Sequence, residues 1–284
     1  MDLVVLHSLW GFRGTLSAAI SRARCHGFNG LEANLAHPVL TGSAPSAVVE
    51  ALAASGLGLM LEIVTGGDYV PDLATTPEAH LSQLAEQLQA CPPLQPLGVT
   101  VITGSDSWSW PQQSWFWDRA LELASASPLP VSFETHRSRS LADPWRIRSW
   151  LERYPQLRLT ADISHWCVAC ERLMTPDLAP IQAIAERVDH LHARVGHAQG
   201  PQVGHPFAPE HATALAAHRA CWQLFLDQAR ARGMERFTLT PEFGPDGYLP
   251  TLPFTNKPVA DLLQINTAMA AWLRRELDTG APAP

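Results

Sequence analysis

Short β-rich runs recur eight times along this chain of 284 residues, each followed by turn residues and a helical pattern. They read at Leu3–Ser8, Gly30–Leu35, Leu57–Val64, Val99–Thr103, Pro130–His136, Leu157–Ile163, His190–Val195 and Phe237–Phe243. Eight β-then-α units in roughly 280 residues match the size and order of a (β/α)8 barrel, whereas a doubly wound open sheet of this length needs fewer strands. The helices between them carry start and stop marks. Thr76-Pro77-Glu78 precedes Leu81, Leu84 and Leu88, and Asp143-Pro144 precedes Ile147, Trp150 and Leu151. Gly27, Gly56 and Gly233 stand where helices should end. Nothing reads as an interdomain linker, so residues 1–284 are expected to form one α/β domain. With neither a GxGxxG string nor a P-loop, dinucleotide and nucleotide folds lose their usual support.

Composition narrows the class. At 46% hydrophobic and 17% charged residues the chain can build a core. Apolar runs such as Leu57 to Val64 stop well short of the roughly 20 residues that span a bilayer, and the first residues show no basic region or cleavage pattern. The expectation is a cytoplasmic protein with no membrane partner. A net charge of −7, with Lys257 as the sole lysine, argues against holding nucleic acid by phosphate neutralisation. Five scattered cysteines point to a reducing compartment without a disulfide framework.

In a barrel of this kind the carboxyl ends of the strands build the active site. Here those ends carry His7, Glu32, Glu62, Glu134 with His136, Asp162 with His165, His192 with Arg194, and Glu242, each after an apolar stretch. Buried charge there is costly unless compensated, and a divalent cation compensates several carboxylates at once. Three carboxylates and an imidazole from adjacent strands would form an O/O/O/N ligand set with room for substrate oxygens. Plainer readings stand beside this one. Glu134 and Glu242 could cap helices or form ion pairs, and Asp162 with His165 could form an ordinary turn. His190 shares a face with His192 but lies earlier, as a packed layer residue would. Glu32 and Glu62 fit better as hydrogen-bonding partners of ligands than as ligands.

The tryptophans after strand four offer two readings, an aromatic wall against a sugar face or a packed loop–helix junction. Of Trp108, Trp110, Trp115 and Trp117, only Trp108 and Trp110 are early enough to reach the barrel mouth. Cys167 and Cys170 form a CxxC without a second pair, which is weak support for zinc or redox chemistry. Gly196–Glu210 and Pro245–Lys257 are longer than the fold requires and read as lids.

Together these residues resemble the xylose isomerase-like TIM barrels, a family that includes sugar isomerases, epimerases and the endonuclease-four type of apurinic endonuclease. The resemblance rests on Gly27-Phe28-Asn29-Gly30-Leu31-Glu32, Phe133-Glu134-Thr135-His136-Arg137, Asp162-Ile163-Ser164-His165-Trp166, His190-Leu191-His192-Ala193-Arg194 and Pro241-Glu242-Phe243-Gly244-Pro245, in order and each at a strand end. Likeness to the ketose 3-epimerase branch implies one divalent metal ion, Mn, Mg, Co or Zn, held by Glu134, Asp162, His192 and Glu242. It also implies that Glu134 and Glu242 move protons on opposite substrate faces through a cis-enediolate, with His165 hydrogen-bonding the same oxygen. His7, Glu62, Trp108, His136, Arg137 and Arg194 are then expected to bind the substrate. Relatives of this kind form dimers or tetramers, which makes a homo-oligomer an expectation here.

This sequence departs from the epimerases after strand five, where Ser140 lies in the region of their second glutamate and His136, Arg137 and Arg139 stand nearer. A carboxylate or phosphate on the substrate would suit that basic pair. Gly196–His211 has no Asp-x-His of the sort that completes a three-zinc nuclease site. The leading expectation is an isomerase or epimerase of a small polyhydroxylated carbonyl compound, a sugar, sugar acid or sugar phosphate. A dehydratase on the same scaffold and a non-catalytic sugar-binding barrel are the alternatives, with the nuclease behind them.

Overall fold

The structure, a computed structural model, describes residues 1–277; the end of the expected domain, 278–284, lies outside the described residues. Eight parallel strands close into a barrel in sequence order. They are β1 (Asp2–Ser8), β2 (Gly30–Asn34), β3 (Gly58–Val64), β4 (Gly98–Ile102), β5 (Val131–Glu134), β6 (Leu159–Ala161), β7 (Val188–His192) and β8 (Arg236–Thr240). Helices α1 (Leu16–Cys25), α2 (Pro38–Thr41), α3 (Pro45–Ala54), α4 (Pro77–Ala90) and α5 (Trp110–Ala126) follow the first four strands. After them come α6 (Ile147–Arg153), α7 (Ile163–Ala169), α8 (Ala179–Ile184), α9 (Ala212–Ala231) and α10 (Leu262–Leu277). The expected (β/α)8 fold is the observed one.

Local chemistry sets the boundaries as expected. Thr76 Oγ1 accepts from Ala79 N at 3.3 Å with Pro77 in the first turn of α4. Asp143 Oδ1 accepts from Trp145 N at 2.9 Å, but Pro144 opens a single 3-10 turn before α6 begins at Ile147. Gly27, Gly56 and Gly233 take φ of 73°, 66° and 76° just past α1, α3 and α9, the left-handed turn that ends a helix.

Strand parity sorts the side chains. Ladder partners run Glu32↔Met60↔Gly98 and Asn34↔Glu62↔Thr100↔Ser132, and Glu134↔Thr160↔His190↔Thr238 continues around the barrel. These even-numbered residues face the axis. Odd-numbered Val5, Leu31, Leu61, Val101, Phe133, Leu191 and Leu239 face the helices and form the apolar layer between barrel and shell. Each such side chain contributes about 1.5–3 kcal/mol on full burial. The lumen is polar instead. Thr160 Oγ1 lies 2.8 Å from Thr100 Oγ1 and 2.6 Å from Ser132 Oγ, and His190 Nδ1 lies 2.7 Å from Thr238 Oγ1. His190 is therefore the interior layer residue that its position suggested.

Six strands end earlier than the apolar runs suggest, β2 and β4 by one residue and β5 to β8 by two or three. After β5 the chain turns at once, with His136 N donating to Glu134 O at 3.0 Å. After β6, Asp162 becomes the cap of α7 by accepting from Ser164 N at 2.9 Å. Arg194 and Glu242 stand on connections just beyond β7 and β8, not on the strands themselves.

Candidate metal centre

Glu134 ends β5, Asp162 follows β6, His192 ends β7 and Glu242 lies two residues past β8. One ligand atom from each falls within 4.8 Å of all the others, and all four residues are buried. His192 Nδ1 is 3.4 Å from Glu134 Oε1 and 3.2 Å from Glu242 Oε2. The opposite ring nitrogen, Nε2, is 3.0 Å from Glu32 Oε1. Glu32 as a carboxylate only accepts, so Nε2 carries the hydrogen and Nδ1 presents its lone pair to the cluster. A second contact, 3.3 Å from Glu32 Oε2 to His190 Nε2, continues the chain to Thr238.

The donor set fits a divalent cation. His192 Nδ1 and Glu134 Oε2 are buried with no hydrogen-bond partner, an expense that buried polar atoms rarely carry unless something else satisfies them. Burial, with Glu242 and Asp162 close by, pushes the Glu134 carboxyl up to about 7 although His192 opposes the shift. Burial also raises Asp162, against the pull of Arg194. Without a cation His192 moves well above the usual imidazole range, because Glu242, Glu32 and Glu134 outweigh the burial that disfavours its charge, and a bound cation would take the place of the proton on Nδ1. Three oxygen donors and one nitrogen suit Mg, Mn, Co or Zn.

Cationic and imidazole groups stand over this cluster. His165 Nε2 lies 3.8 Å from Glu134 Oε1 and 3.6 Å from Asp162 Oδ2. Arg194 donates to Asp162 Oδ2, donates to Ser164 Oγ at 3.1 Å, and approaches Glu242 Oε2 at 3.5 Å. Its Nη2 also reaches His165 Nε2 at 2.7 Å, while Arg137 Nη1 reaches His165 Nδ1 at 2.9 Å. The His136 and His165 rings are 3.8 Å apart between centroids. Burial holds both imidazoles well below their usual pKa, so both are neutral near pH 7.

Three aromatic residues that sequence reasoning missed close the mouth. Trp10, Tyr69 and Tyr248 join Glu134, His136, His165, Arg194 and Glu242 around a narrow cavity. Trp10 Nε1 donates to Asp246 Oδ2 at 2.8 Å, tying the connection after β1 to the one after β8. The indole lies so close over Gly244 that a Cβ there would sit 1.9 Å from the ring. Arg137 and Arg194 lie 4.8 and 4.7 Å from the Tyr248 ring centroid. Tyr248 falls inside the Pro245–Lys257 loop read as a lid, which was its only signal. The other long loop is anchored to this one, since Gln202 Oε1 accepts from Gly244 N at 2.8 Å.

Of the remaining expected substrate contacts, Glu62 is beside the cluster and two others are elsewhere. Glu62 accepts from Asn34 Nδ2 at 3.1 Å, and burial with Glu242 and Glu134 nearby pushes its carboxyl up to about 8. His7 is a correction. Its odd position places it opposite Leu31 on the helix-facing side, where its ring stacks on Phe28 at 5.0 Å. Trp108 is another: it packs on His80 at 4.9 Å and Phe116 at 5.2 Å, and Trp110 stacks on Trp150 at 4.1 Å. These tryptophans form a loop–helix junction, not a wall of the cavity. Cys167 is buried and its thiol is pushed up to about 12 by that burial, which leaves it inert.

Against known proteins, the sequence itself matches no family profile and no curated protein. The fold does match solved structures. An L-ribulose 3-epimerase superposes with a TM-score of 0.67 at 14% identity, over 98% of this chain and 95% of that one. The probable 3-DHS dehydratase AsbF from Bacillus anthracis gives 0.63 at 15%, over 96% and 98%. The chain has the xylose isomerase-like TIM-barrel fold. A xylose isomerase-like TIM barrel protein from Mycobacterium smegmatis, in complex with magnesium, gives 0.60 at 14%, over 96% of each chain. No helix among the described residues is long and apolar enough to cross a membrane.

Proposed function

We propose that this xylose isomerase-like barrel is a divalent-metal-dependent isomerase or epimerase acting on a small polyhydroxylated carbonyl compound. The observation that carries the reading is the convergence of Glu134, Asp162, His192 and Glu242, with His192 Nδ1 held unpartnered toward them. Such a cation, when bound, polarises a carbonyl and stabilises the charge that develops on its oxygen as the neighbouring C–H ionises. Glu134 and Glu242 are the carboxylates placed to take that proton and return one, so the substrate passes through an enediolate. His165 and Arg194 donate to substrate oxygens, and Trp10, Tyr69 and Tyr248 exclude water.

Dehydration on the same scaffold is favoured by one feature. Two neutral imidazoles and two guanidiniums stand over the carboxylates, and Ser140, not a glutamate, follows β5. That environment suits an anionic substrate that loses a β-hydroxyl after the shared first proton transfer. Both readings are tested by incubating the Mn-loaded protein with ketoses and sugar acids in deuterated water. Isomerisation or epimerisation leaves deuterium on carbon without loss of water, whereas dehydration yields a deoxy product. Glu134→Gln and Glu242→Gln should each lower turnover by about 10²–10⁴-fold with the fold retained. Full activity in either variant overturns the proton-transfer assignment.

A further inference from the structure

A hollow of the barrel lies at the opposite end from the carboxylate cluster. A cleft of about 780 Å³ opens where β4, β5, β7 and β8 begin, a volume typical of small-molecule sites. One wall is apolar, made by Met60, Leu97 and Pro130. The other carries Arg158, Arg232 and Arg236 around a single carboxylate, Asp189, on a protein whose net charge is −7.

Asp189 does not balance these cations. Arg158 takes both its oxygens, with Nε 2.7 Å from Oδ2 and Nη2 2.5 Å from Oδ1, and Arg232 Nη2 shares Oδ1 at 3.0 Å. Arg232 spends its other contacts on Val188 O at 2.7 Å and Met234 Sδ, and its Nη1 is buried with no partner. Arg236, the first residue of β8, has no ion-pair partner among the described residues, and it shares the axis-facing parity of Thr238 and Thr240. Glu186 also acts on Arg232, and Asp2 lies opposite Arg236 in the β1–β8 ladder, so the guanidinium left without an ion pair beside the apolar wall is that of Arg236.

We propose that this cleft binds a small organic anion, with a carboxylate or phosphate group held by the exposed Arg236 guanidinium in the field of Arg232 and an apolar body lying on Met60, Leu97 and Pro130. Guanidinium forks match planar and tetrahedral oxyanions, and the apolar wall adds what a bare inorganic ion cannot use. The site is independent of the chemistry assigned to the metal end.

Phenyl phosphate is the probe, titrated calorimetrically into the full chain loaded with magnesium. Wild type should bind it once per chain and more tightly than inorganic phosphate, and neutral phenyl glucoside should not bind. Arg236→Glu, at an exposed position that the fold does not depend on, should weaken binding at least about tenfold, while Arg137→Ala at the metal end should leave it unchanged. A milder Arg236→Ala variant, checked for an unaltered melting temperature, guards against a folding artefact. The proposal is overturned by absence of binding at about 10 mM, by equal affinity in the Arg236 variants, or by loss of binding in Arg137→Ala.

Discussion

At the scale of single residues, Glu32 decides which nitrogen of His192 is available. Removing its charge with Glu32→Gln keeps the shape but relaxes the ring, and metal affinity should fall about 10–100-fold in a calorimetric titration while the fold is retained. His7 makes the opposite case. Its ring is buried, both nitrogens lack partners, and burial with Arg22 and His26 nearby lowers its pKa to about 4, so it is a neutral, unsatisfied polar group at pH 7. His7→Leu should raise stability by about 1–3 kcal/mol in denaturant titration and leave turnover unchanged; a loss of turnover would return His7 to the substrate-binding set.

At the scale of elements, the connections after β1 and β8 act together through the Trp10–Asp246 hydrogen bond. Asp246→Ala removes that tie, and we expect KM to rise about two- to tenfold with a smaller change in kcat, together with faster proteolysis near Pro245. The same elements show what the sequence could disclose. Eight apolar runs with capped helices between them announced the barrel, whereas the acidic and imidazole residues at their carboxyl ends marked only a polar rim, and it was the likeness to ketose 3-epimerases that picked out Glu134, Asp162, His192 and Glu242. His7 could not be excluded from the sequence, because β1 is apolar on both faces and only its register against β2, His7 opposite Leu31, turns it away from the axis. Trp10, Tyr69 and Tyr248 were not legible. They come from three separate connections, and only closure of the barrel brings them over one cavity.

At the scale of the whole molecule, the lumen concentrates carboxylates that burial would keep neutral, and this couples stability to pH. Glu62 and Glu134 are raised from 4.5 to about 8 and about 7, so the folded state holds protons that the unfolded chain has released. In metal-free protein, stability should be greatest below about pH 4.5 as far as these two groups are concerned, and should fall as pH rises toward 7 and 8. Melting temperatures across pH 5.5–8.5 check this, and Glu62→Gln should flatten the profile. Metal needs both the Glu134 carboxylate and a deprotonated His192 ring, so affinity should climb with pH through about 7 and continue to climb above it, with proton release on binding.

The central claim is the four-ligand centre, and elemental analysis of dialysed protein tests it most directly. The account predicts about one Mn, Co, Zn or Mg per chain in wild type, or after saturation with the metal, and loss of that metal in Glu242→Gln. No metal even after titration, or an undiminished content in the variant, would contradict it.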